Sequence, residues 1–268
     1  MAVALEFSKR SKFLLAINDS LLMIKRSSMH IIRNTDQLLG TFFQPIMFLV
    51  LFTAVFGGAV GLALPEGVSY INFLMAGIIV QTLAFGSTTT AIAVTNDLQK
   101  GIIDRFRSLP MSSIAVLNGH VVSDVFRNAI STIVMLLTGL LFGFRSSASF
   151  ADWVAIAGII VLFSLAFSWL AAIVGVVAKS VEGVQWLTFV IIFPLTFASS
   201  AFVPAESMVP WLRGFAENQP ITLVIDSVRS LMLGQPIGNE GYYAVLWCVG
   251  ILLVAVPLAA FLFRKKTS

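Results

Sequence analysis

The stretch from Tyr70 to Thr95, YINFLMAGIIVQTLAFGSTTTAIAVT, runs for 26 residues without a lysine, arginine, aspartate or glutamate. A helix rises about 1.5 Å per residue and the hydrocarbon layer of a bilayer is about 30 Å thick, so this run is long enough to cross a membrane with some tilt. In lipid the backbone amides must be satisfied within the segment, and the short alternating strands of a barrel are missing, so the run reads as a helix. Five further apolar runs of spanning length lie at about 41–64, 113–144, 153–178, 184–203 and 242–263. The composition agrees: 58% of the 268 residues are hydrophobic and 11% charged, with a mean hydropathy of +0.94, against about 25% charged in a soluble domain. The expected fold is therefore all-α, with six transmembrane helices in one membrane domain over 41–263. A segment at 1–40 precedes it and a basic tail at 264–268 follows.

Basic residues orient the spans. With the N-terminus in the cytoplasm, thirteen of the seventeen lysines and arginines fall on the inner side, and only Arg145, Arg213 and Arg229 fall outside. That asymmetry predicts cytoplasmic ends on both sides of the domain. It also explains the net charge of +4 without a nucleic-acid partner, because the cations flank apolar runs instead of forming one patch. Within 1–40, Phe13, Leu14, Ile17, Leu21, Ile24 and Ile31 share one helical arc beside Lys12, Lys25 and Arg26, which predicts an amphipathic helix lying against membrane lipids. The start of the chain lacks the short apolar core of a cleavable signal peptide. The single cysteine, Cys248, has no partner for a disulfide and supplies no metal-ligand cluster.

Immediately after the opening stretch comes LQKGIIDRFRSLPMS, Leu98–Ser112. Leu98, Ile102, Phe106 and Leu109 fall on one helical arc, Lys100, Asp104 and Arg107 on the other, and Pro110 ends the helix. Periodicity alone allows two uses on the inner side: docking into a groove of a partner, or lying in the headgroups. The residues are more specific. Lys-Gly, two apolar residues, Asp-Arg and Leu-Pro in this order resemble the segment after the second span in permeases of the type-2 ABC exporter family. The form Asp104-Arg105-Phe106-Arg107-Ser108-Leu109-Pro110 is most similar to the daunorubicin/doxorubicin-resistance branch. The resemblance implies that Leu98, Lys100, Gly101, Ile102, Asp104, Arg105, Phe106, Arg107, Leu109 and Pro110 form a coupling helix seated on an ATP-hydrolysing subunit. It further implies a second permease subunit, identical or sister, two ATP-binding cassette subunits that hold the ATP and Mg, and a place in the cell membrane of a bacterium.

Between the fifth and sixth expected spans, 204–241 carries four prolines, too much punctuation and too much length for a turn. Ile221, Ile225 and Val228 lie on the apolar face of a short helix, and Trp211 is an aromatic anchor ahead of it. Together they predict a re-entrant or interfacial hairpin at the outer mouth, acting either as a gate or as a flap that shields the bundle.

Inside the spans two faces stand out. Gln81, Thr88 and Thr89 share one side of the second span, and Phe189, Phe193 and Phe197 recur every four residues in the fifth. Each is a candidate lining of a substrate path, and each has a plainer use in helix packing or lipid contact. In the third span His120, Asp124, Arg127 and Asn128 form a stripe; intramembrane charges are functional candidates. A helix over 113–144 would exceed the hydrocarbon thickness, which places Asp124 and Arg127 near the inner boundary, paired with each other or with the N-terminal helix.

No G-x-x-x-x-G-K-[ST] occurs, so the chain holds no P-loop nucleotide site. H-E-x-x-H and G-x-S-x-G are also missing, and His30 and His120 have no partners suited to metal or nucleophilic chemistry. The expectation is a permease without enzymatic activity of its own and without a bound cofactor or metal, exporting amphiphilic drugs, lipids or glycolipids with energy from a separate ATPase. An ion-gradient-driven secondary transporter is the alternative, and depends on Asp124 and Arg127 lying deep in the membrane.

Overall fold

The computed structural model describes residues 35–61, 64, 67–100 and 113–267. The expected amphipathic helix within 1–40 and most of the coupling segment, Gly101–Ser112, lie outside the described residues. Among the described residues the fold is helical throughout, without a strand. The helices are α1 (Thr35–Gly61), α2 (Tyr70–Gly86), α3 (Thr88–Gln99), α4 (Ser113–Leu141), α5 (Phe150–Val177), α6 (Val181–Phe197), α7 (Pro210–Asn218), α8 (Pro220–Met232) and α9 (Asn239–Thr267), with a 3-10 turn at Ala205–Ser207 before α7. The end of the bundle where α3 stops and α4 starts is the one that the charge count assigns to the cytoplasm, and is called inner below.

Among the described residues five elements are long and apolar enough to span a membrane: α1, α2 with α3 as one run, α4, α5 and α9. The fifth expected span, 184–203, is the exception. Its helix α6 covers Val181–Phe197, 17 residues, or about 26 Å at about 1.5 Å per residue. Ala198 leaves the helix at φ −88°, ψ 42°, and the amide Nε2 of Gln219 donates to the carbonyls of Leu195 and Ala198 at 2.7 and 2.6 Å. Those carbonyls belong to a helix end and need partners from outside the helix. The small apolar residues after Phe197 therefore read as a continuing span, whereas they form a buried loop in which Ser199, Ser200 and Ala201 are nearly inaccessible. The other expected spans shift by a few residues at their ends; the last, for example, begins at Asn239 instead of 242.

Local chemistry explains the helix starts. Ser149 and Asp152 form a reciprocal capping box at the start of α5, satisfying two orphan amides. The Ser180 hydroxyl accepts from the Gly183 amide ahead of α6, and α7 and α8 each begin with proline at a first-turn position, where its fixed φ suits the helix and no N–H is lost. At the other end of α5, Lys266 Nζ caps the carbonyls of Val176 and Ala178.

The run α2–α3 and helix α5 form the centre, with α1, α4, α6, α8 and α9 packed around them. Two large apolar cores result among the described residues, with a small third of Ala91, Ala171, Ala178 and Val184 where α3, α5 and α6 meet. The outer one joins α2 to α8 and the outer half of α5, with Leu74, Ile78, Phe163, Ile221 and Val224 at its heart. The inner one joins α3, the first turns of α4, the last turns of α5 and the end of α9, through Val94, Leu117, Trp169 and Phe263. Gly175 lets α3 and α5 touch: a Cβ there would stand 2.4 Å from the Ala91 carbonyl oxygen. Small residues at a crossing of this kind bring backbones into contact. Between the two cores lies a layer of polar side chains.

Candidate functional site

That polar layer is built on Asp124 and Arg127 of α4. Both are buried, at 2% and 1% exposure, and they pair across one helical turn. The Arg127 guanidinium also donates to the Thr89 hydroxyl of α3 and to the Gly86 carbonyl of α2 at 2.5 Å. Asp124 accepts from the Ser168 hydroxyl of α5, and its Oδ1 lies 3.2 Å from the Thr89 hydroxyl oxygen. Three elements of the bundle are thus fastened by one ion pair. The pair stands near the middle of α4, facing the break between α2 and α3, and its two members are joined to each other, one of the two pairings expected from the sequence.

The break itself is a local contest for carbonyls. Ser87 Oγ donates back to the Ala84 carbonyl at 2.7 Å, Thr89 Oγ1 donates to the Gly86 carbonyl at 3.0 Å, and the Thr90 amide bonds to Ser87 O, three residues back, at 3.0 Å. Hydroxyls that bond back to the backbone bend helices, and Gly-Ser pairs are sites where helices kink. Gly86 also makes room: a Cβ there would lie 2.7 Å from Asn128 Oδ1.

A second pair repeats the pattern at the outer end. Asp226 and Arg229 of α8 are again three residues apart and joined at 2.5 Å. Arg229 Nε donates to the Phe73 carbonyl of α2 at 3.0 Å and its Nη2 to the Ser200 carbonyl at 2.5 Å, with the guanidinium 3.7 Å above the Phe73 ring. Asp226 accepts from the Ser200 hydroxyl at 2.6 Å. In both places an Asp-x-x-Arg turn bonds a serine through its carboxylate and a carbonyl of α2 through its guanidinium. Burial raises the Asp226 carboxyl above the usual carboxylate range, with Arg229 opposing that shift. Burial likewise lowers the Arg229 guanidinium to about 10, opposed by Asp226, so Arg229 keeps its charge at neutral pH.

A cavity of about 1120 Å³ opens on the outer pair, lined by Asp226, Arg229 and Ser200 and by the carboxylates Glu206, Glu217 and Glu240. Of the expected hairpin residues, Ile221, Ile225 and Val228 are fully buried in the outer core, while Trp211 on α7 is 78% exposed. They are not brought together: three pin α8 into the bundle and one faces outward.

The other expected residues are distributed as follows. Gln81 is buried in α2, and its Nε2 makes no hydrogen bond to any described residue. Thr88 and Thr89 are half-buried at the start of α3, with Thr89 in the Arg127 cluster. Phe189, Phe193 and Phe197 lie exposed along α6 with ring centroids 4.9 and 4.2 Å apart. The stack continues where the sequence gives no signal, to Phe202 at 5.0 Å and then to Phe52 of α1 at 4.4 Å. None of these residues lines the outer cavity. At the inner end Leu98 packs on the inner core and Lys100 is exposed; Gly101, Ile102, Asp104, Arg105, Phe106, Arg107, Leu109 and Pro110 lie outside the described residues. The legs that enter and leave that segment are joined: His120 Nε2 of α4 lies 2.9 Å from Asp97 Oδ2 of α3. Helix α3 is also tied to α5, by Thr95 donating to the Gly175 carbonyl at 2.8 Å, and to the turn after it by Gln99 donating to the Lys179 carbonyl at 2.7 Å. Among the described residues no cluster of three or more metal-ligating side chains occurs.

Known proteins resemble this chain over nearly its whole length. A family model described as "ABC-2 type transporter" matches residues 19–233. The daunorubicin resistance ABC transporter permease protein DrrB1 of Streptomyces coeruleorubidus is 32% identical over 257 residues, covering 94% of this chain and 88% of the relative. The probable doxorubicin resistance ABC transporter permease protein DrrC of Mycobacterium tuberculosis is 26% identical, with 94% and 91% covered. Nodulation protein J of Rhizobium leguminosarum bv. viciae is 26% identical over 232 residues, with 85% and 87% covered.

Proposed function

The chain belongs to the ABC-2 type transporter family, and from that premise we propose that it is the permease subunit of an ATP-driven bacterial exporter whose ATP, with Mg, is hydrolysed on separate subunits. In this reading two copies, or one copy and a sister permease, form the membrane unit in the cell membrane, each engaging one ATP-binding cassette subunit. The observation that carries it is the treatment of α3. It is fastened to α4 and α5 at several points and delivers Leu98 and Lys100, the first residues of the two-faced segment 98–110, to the inner end. Leu98 holding to the inner core is what one face of a coupling helix needs; the charged face then meets the soluble partner.

The substrates are amphiphilic drugs, with lipids or glycolipids as the second class. The names of two relatives supply the drug class, and the exposed Phe189–Phe193–Phe197 stack offers apolar rings for such a molecule to slide against, with Gln81, Thr88 and Thr89 as polar positions of the proposed path. The hairpin α7–α8 acts as the outer gate. Ile221, Ile225 and Val228 seat it, and Trp211 holds its free side at the interface, where aromatic rings prefer to lie.

Inside-out vesicles carrying this chain with its ATP-binding partner test the reading, with doxorubicin as the probe. Uptake is expected to need ATP and to survive a protonophore. Uptake that ignores ATP and stops with the protonophore would establish a gradient-driven carrier instead. The interior charges favour the first outcome, because Asp124 and Arg127 neutralise each other and are sealed from solvent.

A further inference from the structure

The run α2–α3 is not fastened as one rod. Above the break at Ser87, α2 is held by the outer latch, Arg229 on the Phe73 carbonyl, and its residues belong to the outer core. Below the break, α3 is held by Asp97–His120, Thr95–Gly175 and Gln99–Lys179, and Val94 belongs to the inner core. The break falls where the run passes from the outer core to the inner one, with α8 clamped to the first half only, and a change of packing at one point is where a hinge can sit. No proline causes it. Side chains hold it open: the hydroxyls of Ser87 and Thr89 and the guanidinium of Arg127 occupy the Ala84 and Gly86 carbonyls. Arg127 touches both sides from a third helix, Gly86 of α2 and Thr89 of α3. Arg127 Nε is buried and bonds to no described residue, and the same holds for Gln81 Nε2 and Ser164 Oγ, which precede the cluster's Gly86 and Ser168 by five and four residues on their helices. Such donors are costly in a single static arrangement and give a second arrangement of the layer partners ready to use.

We propose that the break at Ser87 is the hinge about which α3 swings against α2 during turnover, and that Arg127 is the positioning residue that keeps the two halves in register as it does so. This rests on the reading of the chain as an ATP-driven permease. Arg127 touches neither nucleotide nor substrate in that reading. It acts through the helix that carries the coupling segment, so its loss disconnects hydrolysis from transport without stopping hydrolysis.

The test uses the complete transporter in inside-out vesicles, measuring doxorubicin taken up per ATP hydrolysed. Arg127→Gln is expected to keep ATP hydrolysis within about twofold and to lower the uptake-to-hydrolysis ratio about tenfold or more. Arg127→Lys, which keeps the charge but not the forked donors, recovers part of that ratio. Ser87→Ala keeps every charged group and removes only the hydroxyl that competes for Ala84; it too lowers the ratio, and it decides the matter alone should Arg127→Gln fail to assemble. In parallel, nitroxides at Asn96→Cys on α3 and Gln235→Cys after α8, with Cys248→Ala, report the angle between the halves. Their distance distribution is expected to shift between the nucleotide-free and vanadate-trapped transporter. The hinge is overturned if that distribution stays fixed, or if uptake and hydrolysis fall together in proportion to the amount of folded complex. A wild-type transporter that takes up the drug without ATP would overturn the parent reading instead, and the two failures are told apart by the wild-type control.

Discussion

The two Asp-x-x-Arg latches share their chemistry and differ in their exposure. Asp124 and Arg127 each show 2% of their side chains to solvent, whereas Asp226 shows 33% and Arg229 9%. The inner latch is sealed between α2, α3, α4 and α5; the outer one forms part of the wall of a cavity open at the outer mouth. The same pairing therefore serves two ends. A sealed pair responds only when the helices around it move. An open pair also responds to what enters the cavity, to protons and to ions. Both clamp the same helical run, the outer one on α2 and the inner one across the Ser87 break.

Removing one partner of a sealed pair is expected to have the largest effect. Arg127→Ala strands the Asp124 carboxylate in the bundle, and leaving a buried charge unpaired costs about 3–5 kcal/mol. Denaturant unfolding in detergent should show that loss, and Asp124→Asn/Arg127→Gln together should recover part of it, since no charge is then stranded. Arg229→Ala comes next. Water in the outer cavity can solvate the Asp226 left behind, so the expected loss is smaller, about 1–3 kcal/mol for the unmade hydrogen bonds, and a loss equal to that of Arg127→Ala would erase the distinction drawn here.

A pH series sharpens the contrast further. The carboxyl of Asp226 titrates above its ordinary 3.8 in the folded protein, so the native state binds this proton more tightly than the unfolded chain does. Its contribution is complete below the ordinary value and is lost as the pH rises through the raised native one. The difference in stability between wild type and Asp226→Asn should accordingly change with pH across that window, and a difference that is flat there would contradict the assignment. The smallest effect is expected at Arg213. Its pair with Glu217 lies on exposed helix α7 with side chains 46% and 39% accessible, and Arg213→Ala should leave the melting temperature where it was, as exposed ion pairs of this kind contribute little.

Much of this is legible in the amino-acid sequence. Long uncharged runs mark the spanning elements because lipid permits little else, and the stripe of Asp124, Arg127 and Asn128 follows from helical spacing. The buried face of α8 is visible in the same way: Ile221, Val224, Ile225 and Val228 all reach the outer core. The outer latch is not visible. Arg229 reads as part of the polar face of α8 and is 8% exposed, because Phe73 and Ser200, 156 and 29 residues away, supply its carbonyl acceptors. No local pattern encodes a contact at that range. The break at Ser87 escapes notice for the opposite reason. It is made by neighbours within a few residues, but in an apolar run Gly-Ser-Thr looks like a tolerated interruption. The shortness of α6 is hidden because Ala198, Ala201 and Phe202 are as apolar as a continuing helix. Phe52 and Phe202 extend the α6 stack through space, where a spacing of four residues has nothing to say.

In the proposed mechanism work enters the membrane domain at 98–110 and travels up α3. Doxorubicin uptake into inside-out vesicles, driven by ATP and carried out with Phe106→Ala/Arg107→Ala, tests this most directly. Uptake should fall to the level seen without ATP while the variant reaches the membrane in wild-type amounts and unfolds at the wild-type denaturant concentration, since both latches are intact. Undiminished ATP-driven uptake by that variant would contradict it.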